Sequence, residues 1–278
     1  MLKKKILVSA LALVVVVLLF NLPKVVVKDE EKTDDLASIP SDSEATTDRQ
    51  PPQISTHDEE ISPEWEEKIA HLRENYNSSI NTEKNINFAD SLTNAFLSIS
   101  QFDSAAKYAE EVAVQVSTPE RWLKAADLYY EAYTYAINAE KQQALGKKVR
   151  QLYEQVLEQQ PANYDAQVKM AMTYLTTGNP MEGIRMLREV VEKDENNELA
   201  LFNLGILSMQ SNQYELAEER FKKLVALNPE HLQAQFFLGV SYFEQGKKQQ
   251  AKAQFERVKE MDDDPALEAT VDNYLNQI

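Results

Sequence analysis

Residues 198–231 read ELALFNLGILSMQSNQYELAEERFKKLVALNPEH, and the placement of small and large side chains in this stretch recurs further along the chain. The matching residues are 34 positions apart, and the pairs are Gly205 and Gly239, Ala217 and Ala251, and Phe221 and Phe255. A fixed period of this length is typical of proteins built from stacked copies of one small unit. The period therefore decides the fold.

Each period divides into two amphipathic segments with a short turn between them. The turn positions hold Gly178, Asn212 and Gly246, which are residue types that favour turns. Small residues stand where the two helices of a pair would cross closely, and large residues fill the space beside them. The pattern predicts three contiguous helical hairpins, at residues 164–197, 198–231 and 232–265.

These hairpins resemble tetratricopeptide repeats. In residues 198–231 the resemblance rests on residues at the family's fixed positions, namely Leu201 where Trp is usual, Leu204, Gly205, Tyr214, Ala217, Phe221 and Pro229. The resemblance implies an all-α solenoid, in which helical hairpins stack into a right-handed superhelix. It also implies that the first helix of each hairpin forms the inner wall of that superhelix and that the protein binds other proteins.

Upstream of residue 161 the pattern loosens but continues. Two further repeats are expected at about 84–118 and 119–161, and in the second one Trp122 lies eleven residues before the position that the register predicts. Eleven residues are close to three helical turns, so a longer first helix would keep the same face buried. With a helix from Pro63 before these repeats and a capping helix at 266–278 after them, the resemblance covers residues 64–278.

The first 27 residues have the pattern of a membrane anchor. Three lysines at positions 3–5 precede an apolar run at residues 6–22, which is at the short end of the length that spans a bilayer. A cleaved secretory signal is the alternative, but it needs small residues at its cleavage point, and none follows the run. A buried core helix fits poorly, and the pattern favours an uncleaved signal anchor.

The charges around the apolar run predict its orientation. Basic residues mark the cytoplasmic side of a membrane helix, and the three lysines lie before the run while acidic residues dominate after it. We therefore expect a single-pass protein of the bacterial inner membrane, with its amino terminus in the cytoplasm and its repeats in the periplasm. Residues 28–63 hold eleven acidic and three basic residues and four prolines, which predicts a disordered linker. A docking motif within this linker is a less favoured alternative.

The inner wall of the predicted superhelix is apolar. The family's arrangement turns repeat positions 5, 9 and 12 towards the groove, and in this chain those positions hold Val168, Met172, Leu175, Phe202, Ile206, Met209, Phe236, Val240 and Phe243. An apolar surface of this size usually meets a partner. The partner would be a peptide or helix of another protein, and the alternatives are the chain's own terminal helices or a second copy of the chain. Only Asn203 matches the set with which one subclass of the family grips a terminal carboxylate, so that function is not inferred.

A secondary patch of aromatic residues lies in the predicted repeat 119–161. It comprises Tyr129, Tyr130 and Tyr133, with Tyr135 close by. Tyr129 and Tyr133 are four residues apart and therefore share one helix face. Because tyrosine is favoured at interfaces and also packs repeats, the patch has two interpretations, recognition and core packing.

Composition excludes several classes of function. The 278 residues include 29 basic and 45 acidic side chains, a net charge of −16 that would repel the phosphates of a nucleic acid. There is no Cys, the three histidines form no metal-ligand pair, and no Gly-rich phosphate loop or GxSxG motif is present. The sequence therefore predicts no enzyme, no cofactor, no metal and no nucleic-acid partner.

These observations lead to one functional hypothesis and one alternative. The hypothesis is a membrane-tethered scaffold that binds a protein partner in its apolar groove, in a process such as cell-envelope assembly, secretion or biogenesis. The alternative is a self-assembling structural protein that uses the same groove for contacts between its own copies. Neither the process nor the partner is specified by the sequence.

Overall fold

A computed structural model describes residues 61–278, which are helical apart from short turns and loops. The helices in this part of the chain are α1 Pro63–Ser78, α2 Thr82–Ser98, α3 Phe102–Gln115, α4 Pro119–Thr134, α5 Ala139–Gln159, α6 Tyr164–Thr176, α7 Pro180–Lys193, α8 Glu198–Gln210, α9 Tyr214–Leu227, α10 Leu232–Glu244, α11 Lys248–Met261 and α12 Pro265–Leu275. Between residues 61 and 278, no helix has the length and apolar character needed to cross a bilayer. The anchor predicted at 1–27 and the linker predicted at 28–63, apart from its last three residues, lie outside the described residues.

The helices form consecutive hairpins in which each pair packs against the next. The first helices of the pairs are α2, α4, α6, α8 and α10, and the second helices are α3, α5, α7, α9 and α11. Helix α1 packs on α2 ahead of the first pair, and α12 packs on α11 after the last pair. This order confirms the all-α stack of helical hairpins that the period predicts.

The start of each regular repeat is fixed by a side chain that caps the first helix. Asn163, Asn197 and His231 are successive N-caps 34 residues apart, and each side chain accepts a hydrogen bond from the backbone N–H three residues later. An N-cap of this kind satisfies one of the backbone donors that a helix leaves unpaired at its first turn. The same period therefore sets both the packing and the helix boundaries.

The turn within each regular pair depends on a residue in the left-handed backbone region. Gly178, Asn212 and Gly246 have φ values of 90°, 57° and 70°. Glycine adopts this conformation without steric cost, and asparagine tolerates it better than most other residues. These residues let the chain reverse between the two helices within three positions.

In the last two hairpins, the two helices approach each other closely at a glycine of the first helix. A Cβ atom added at Gly205 would lie 2.7 Å from the ring of Phe221, and one added at Gly239 would lie 2.9 Å from the ring of Phe255. Carbon atoms do not approach this closely without a shift of one partner. The glycine and the aromatic residue are therefore one packing unit, repeated in successive hairpins.

The repeat at 119–161 is longer than the others, but mostly in its second helix. Helix α5 has 21 residues, compared with 14 in α7, α9 and α11. Helix α4 has 16 residues, compared with 13 in α6, α8 and α10. The sequence pattern assigned the additional length to the first helix, and that assignment needs correction. Asn138 caps α5 and starts it early, so most of the extra residues continue the second helix.

The apolar interior is divided into three clusters along the stack. The amino-terminal core runs from Ile69 to Ala166, the middle core from Val168 to Leu207, and the carboxy-terminal core from Leu201 to Val271. Val191 packs against both the middle and the carboxy-terminal core. Each core is built by adjacent helices, as expected when a repeat contacts only its neighbours.

A buried carboxylate joins the fourth and fifth pairs. Glu218 on α9 is 7% exposed and accepts hydrogen bonds from Lys222 Nζ at 2.5 Å, Lys247 Nζ at 2.6 Å and Gln245 Nε2 at 2.7 Å. Burial alone would raise the pKa of Glu218, but these hydrogen bonds outweigh it and hold the pKa at about 2, below the usual 4.5. The charged form of Glu218 therefore stabilises the folded chain.

The stability that Glu218 contributes should depend on pH. Its pKa is lower in the folded than in the unfolded chain, so the contribution is complete above pH 4.5 and is lost as the pH falls towards 2. We expect Glu218→Gln to lower the free energy of unfolding by about 1–3 kcal/mol at pH 7 and by much less at pH 3. Urea unfolding at both pH values measures this difference. Glu219→Gln, at an exposed neighbouring position, is the control, and an equal effect at the two pH values would contradict the assignment.

Candidate protein-binding surface

The structure divides the nine residues of the predicted inner wall into two groups. The buried group consists of Val168, Ile206, Phe236 and Val240. The half-buried group consists of Met172, Leu175, Phe202, Met209 and Phe243. The buried side chains belong to the middle and carboxy-terminal cores, so they do not face an open groove. This departs from the expectation of nine accessible apolar side chains.

Phe236 shows why part of the inner wall is buried. Its ring lies 5.4 Å from Phe237, 6.0 Å from Phe255 and 5.9 Å from Tyr274, measured between ring centroids. Tyr274 belongs to α12, which follows α10 and α11 in the stack. The side of a first helix is therefore covered by the helix that stacks next to it, and positions that face this neighbour are interior positions.

Phe202 is in a similar position one repeat earlier. Its ring lies 6.0 Å from both Phe221 and Phe237 and is stacked on His231 at 5.3 Å. Burial lowers the pKa of His231, which favours the neutral imidazole whose Nδ1 accepts the N-cap hydrogen bond from the Ala234 N–H. Phe202 thus joins two repeats and is only partly available to a partner.

The chain's own carboxy-terminal helix covers the end of the inner wall. Phe243 contacts Tyr274 edge-on at 5.2 Å, and Leu267, Leu275 and Ile278 also pack on the carboxy-terminal core. This corresponds to one of the alternatives considered for the groove, in which the chain's terminal helices fill part of it. The covered part is confined to the last repeat.

Three inner-wall residues in the middle of the stack remain partly uncovered. We call Met172, Leu175 and Met209 the strip. Met172 and Leu175 pack at the edge of the middle core, and Met209 packs at the edge of the carboxy-terminal core, where its sulfur accepts a hydrogen bond from Ser241 Oγ at 3.2 Å. Met and Leu side chains at such positions offer adaptable apolar contact.

The tyrosines of the secondary patch have different roles. The hydroxyl of Tyr129 donates to Glu110 Oε2 at 2.9 Å. The pKa of Tyr129 is raised, mainly by burial and further by this hydrogen bond. Tyr133 is buried, and its hydroxyl is 3.3 Å from the carbonyl oxygen of Met172 and also contacts Thr176. Tyr135 is 44% exposed and stacks on Phe102 at 5.0 Å. These contacts hold neighbouring helices together, so Tyr129, Tyr133 and Tyr135 are packing residues.

Tyr130 differs from Tyr129 and Tyr133 because its hydroxyl, like that of Tyr135, makes no hydrogen bond within residues 61–278. The ring is half-buried, lies 5.7 Å from Tyr133, and has Lys169 Nζ 6.0 Å from its centroid. Burial raises the pKa of Tyr130, with further contributions from Tyr133 and Glu131. Among Tyr129, Tyr130 and Tyr133, Tyr130 is therefore the residue with a hydroxyl left for a partner.

Polar contacts between first helices occupy the amino-terminal half of the same face. Asp90 binds Arg121 Nη1 at 2.8 and 2.9 Å and Lys124 Nζ at 3.2 Å, which joins α2 to α4. Asp127 accepts from Lys169 Nζ at 2.7 Å and from the Tyr153 hydroxyl at 2.7 Å, which joins α4 to α6 and α5. The apolar repeat pattern does not indicate these charged residues, although the spacing of Asp90 and Lys124, 34 positions, equals the repeat period.

Glu131 lies beside Tyr130 at the end of α4. Glu131 is exposed, but partial desolvation by its neighbours raises its pKa, and the positive charge of Lys169 counteracts this only in part. The lysine itself is paired with Asp127, and no ion pair of Glu131 is formed within the described part of the chain. The carboxylate thus lacks a cationic partner of its own.

The structure offers little for small-molecule chemistry. Among residues 61–278, no group of three or more His, Asp or Glu side chains is placed to hold a metal ion. A cleft of about 240 Å³ beside α1, lined in part by Ile69, Arg73 and Phe96, is smaller than the usual range for ligand pockets. What the described face offers is apolar and acidic surface.

Comparisons with known proteins agree with this architecture. Sequence profiles of the tetratricopeptide-repeat family match residues 146–204 and 202–266. No curated protein matches the chain in sequence. A solved tetratricopeptide repeat protein from Parabacteroides merdae ATCC 43184 is 17% identical, with 77% of this chain and 82% of that chain covered and a TM-score of 0.54.

Two further solved structures are similar at lower TM-scores. MamA from Desulfovibrio magneticus RS-1, solved from residue 41 to its end, is 17% identical, with 66% of this chain and 97% of that chain covered and a TM-score of 0.48. YrrB, described as a TPR protein with an unusual peptide-binding site, is 18% identical, with 73% and 96% covered and a TM-score of 0.45. Together, the profile matches show that residues 146–266 consist of tetratricopeptide repeats, and the stack of helical hairpins continues on both sides of them.

Proposed function

We propose that this chain is a scaffold that binds a partner protein on the face formed by its first helices. The observation that carries the proposal is the strip, in which apolar side chains of consecutive repeats stay partly uncovered. Four of the other six inner-wall residues are buried, and Phe202 and Phe243 pack against neighbouring rings. Binding an apolar or amphipathic segment would remove this surface from water, and methionine adapts to the shape of such a segment. In this proposal the chain acts by binding and not by catalysis.

We also propose that residues 6–22 tether the scaffold to the cytoplasmic membrane and that the repeats lie in the periplasm. The support is the apolar run, the three lysines before it and the acidic residues after it. The partner would then take part in an envelope process such as assembly, secretion or biogenesis. Protease added to spheroplasts should digest the repeats of the full chain, and protection of the repeats until the membrane is opened would contradict this orientation.

Site-specific photocrosslinking tests the binding face. A benzophenone side chain placed at Met209 in the full chain, in intact cells, is expected to trap a partner protein. The same group placed at Glu219, which is exposed on the second helix α9, is the matched control and should trap nothing above background. Equal trapping from both positions, or none from Met209, would contradict the proposal. An adduct between two copies of the chain would instead support the homomeric alternative.

A further inference from the structure

The first helices carry a row of partly uncovered side chains at one end. The row consists of Leu175, Met209 and Phe243, which lie in the last turns of α6, α8 and α10, and of Tyr130, which lies just before the last turn of α4. All four are half-buried. Leu175, Met209 and Phe243 are 34 residues apart and therefore occupy the same place in successive repeats. We call these four residues the ladder.

Each end of the ladder is bordered by a carboxylate. Glu131 follows Tyr130, and Glu244 follows Phe243, and both glutamates are exposed. Neither forms an ion pair within residues 61–278, whereas the nearby cation Lys169 is held by Asp127 at 2.7 Å. The apolar ladder thus ends in two negative charges that have no cation of their own.

The backbone adds to this negative potential. None of the first helices, nor α12, has a basic residue in its last turn. The first helices run in the same direction, because each hairpin reverses the chain, so their carboxyl ends lie along one edge. A helix carries a partial negative charge at its carboxyl end, which a basic residue there would offset.

Among the five hairpins and α12, the excess of acidic residues lies on the first helices and α12. The first helices and α12 hold ten acidic and four basic residues, whereas the second helices hold fourteen and fifteen. Three of those four basic residues, Arg121, Lys124 and Lys169, are already paired with Asp90 or Asp127. The first helices are therefore acidic overall, and the second helices are nearly neutral.

We propose that the ladder docks a cationic amphipathic segment of the partner, with apolar side chains on Leu175 and Met209 and Lys or Arg side chains against Glu131 and Glu244. This inference rests on the proposed function and adds the chemistry of the partner. Glu131 and Glu244 are three first helices apart, or about 30 Å at roughly 10 Å per packed helix. A helix of about 20 residues spans that distance, and the unpaired hydroxyl of Tyr130 offers it a further polar contact.

The test identifies the trapped segment and not only the trapped protein. Full chain with benzophenone at Met209 is crosslinked in intact cells, and the adduct is mapped by peptide mass spectrometry. We expect a segment with an apolar face and an excess of Lys and Arg. Glu131→Gln with Glu244→Gln should reduce the adduct about fivefold, while the matched pair Glu154→Gln with Glu219→Gln, on second helices, leaves it unchanged.

The outcomes separate this inference from the proposed function. If Met209 traps a partner through an acidic or uncharged segment, or if both pairs of substitutions reduce the adduct equally, the cationic segment is refuted and the scaffold function stands. If Met209 traps no protein, both fail. Circular dichroism of the two double variants shows whether each retains its helices, and rescue of trapping by Glu131→Asp with Glu244→Asp supports a role for the charges themselves.

Discussion

Replacing Phe221 with alanine is expected to lower the free energy of unfolding by about 3–5 kcal/mol. The ring is fully buried, is stacked on Phe237 at 5.8 Å, and fills the space that Gly205 leaves open. Its removal leaves a cavity between two helical pairs that the neighbouring rings are too constrained to fill. Because each repeat is stabilised by its neighbours, the loss should spread to the pairs on either side.

Urea unfolding followed by circular dichroism measures the effect of Phe221→Ala. Ile137→Ala is the control, since Ile137 is 86% exposed in the turn between α4 and α5, and we expect it to change stability by less than about 0.5 kcal/mol. A Phe221→Ala chain that unfolds at the urea concentration of the original chain would show that the glycine and aromatic pair is not a main source of stability.

Phe236→Glu should lower the free energy of unfolding more than Met209→Glu, although both residues belong to the predicted inner wall. Phe236 is 7% exposed and lies among Phe237, Phe255 and Tyr274, so a carboxylate there would be buried without a partner. We expect a loss of about 4 kcal/mol or more, with release of α12 from the stack. Met209 is half-buried, so its substitution should cost about 1–2 kcal/mol and leave the helices folded.

Limited proteolysis and circular dichroism compare the two variants. Phe236→Glu should expose residues after 232 to protease, whereas Met209→Glu should resist digestion but lose the partner in co-purification from membranes. The comparison decides which inner-wall residues are packing residues and which are available for binding. Equal protease resistance of the two variants would place Phe236 on the accessible face, contrary to its contacts in the structure.

The repeated fold was predictable because it depends on contacts at a fixed sequence distance. Gly205 and Phe221 lie in one hairpin, and the same pair returns as Gly239 and Phe255, so one linear period reports the packing. For the longer repeat at 119–161, it was harder to predict from sequence which helix contains the additional residues, because they keep the same face buried in either helix. Asn138, a strong capping residue before α5, is the sequence signal that could have assigned the length to the second helix.

The binding surface was only partly predictable for a related reason. A linear pattern shows that Phe236 is apolar and at an inner-wall position, but not that Tyr274 of the next helix covers it. The 34-residue period is also a pattern of apolar and small residues, so it does not indicate which charged residues matter. Glu131 became a candidate only because, in the structure, Lys169, a cation that acts on it, is bound to Asp127.

The division of the interior into three cores has a mechanical consequence. In such a stack, small rotations between neighbouring cores add up to a large change in the curvature of the superhelix, while the packing within each core is kept. The joint beside Val191, where the second and third cores meet, lies within the length that the strip spans. Bending at this joint would widen or narrow the face that bears the strip. One molecule could then bind partner segments of different width without unfolding any helix.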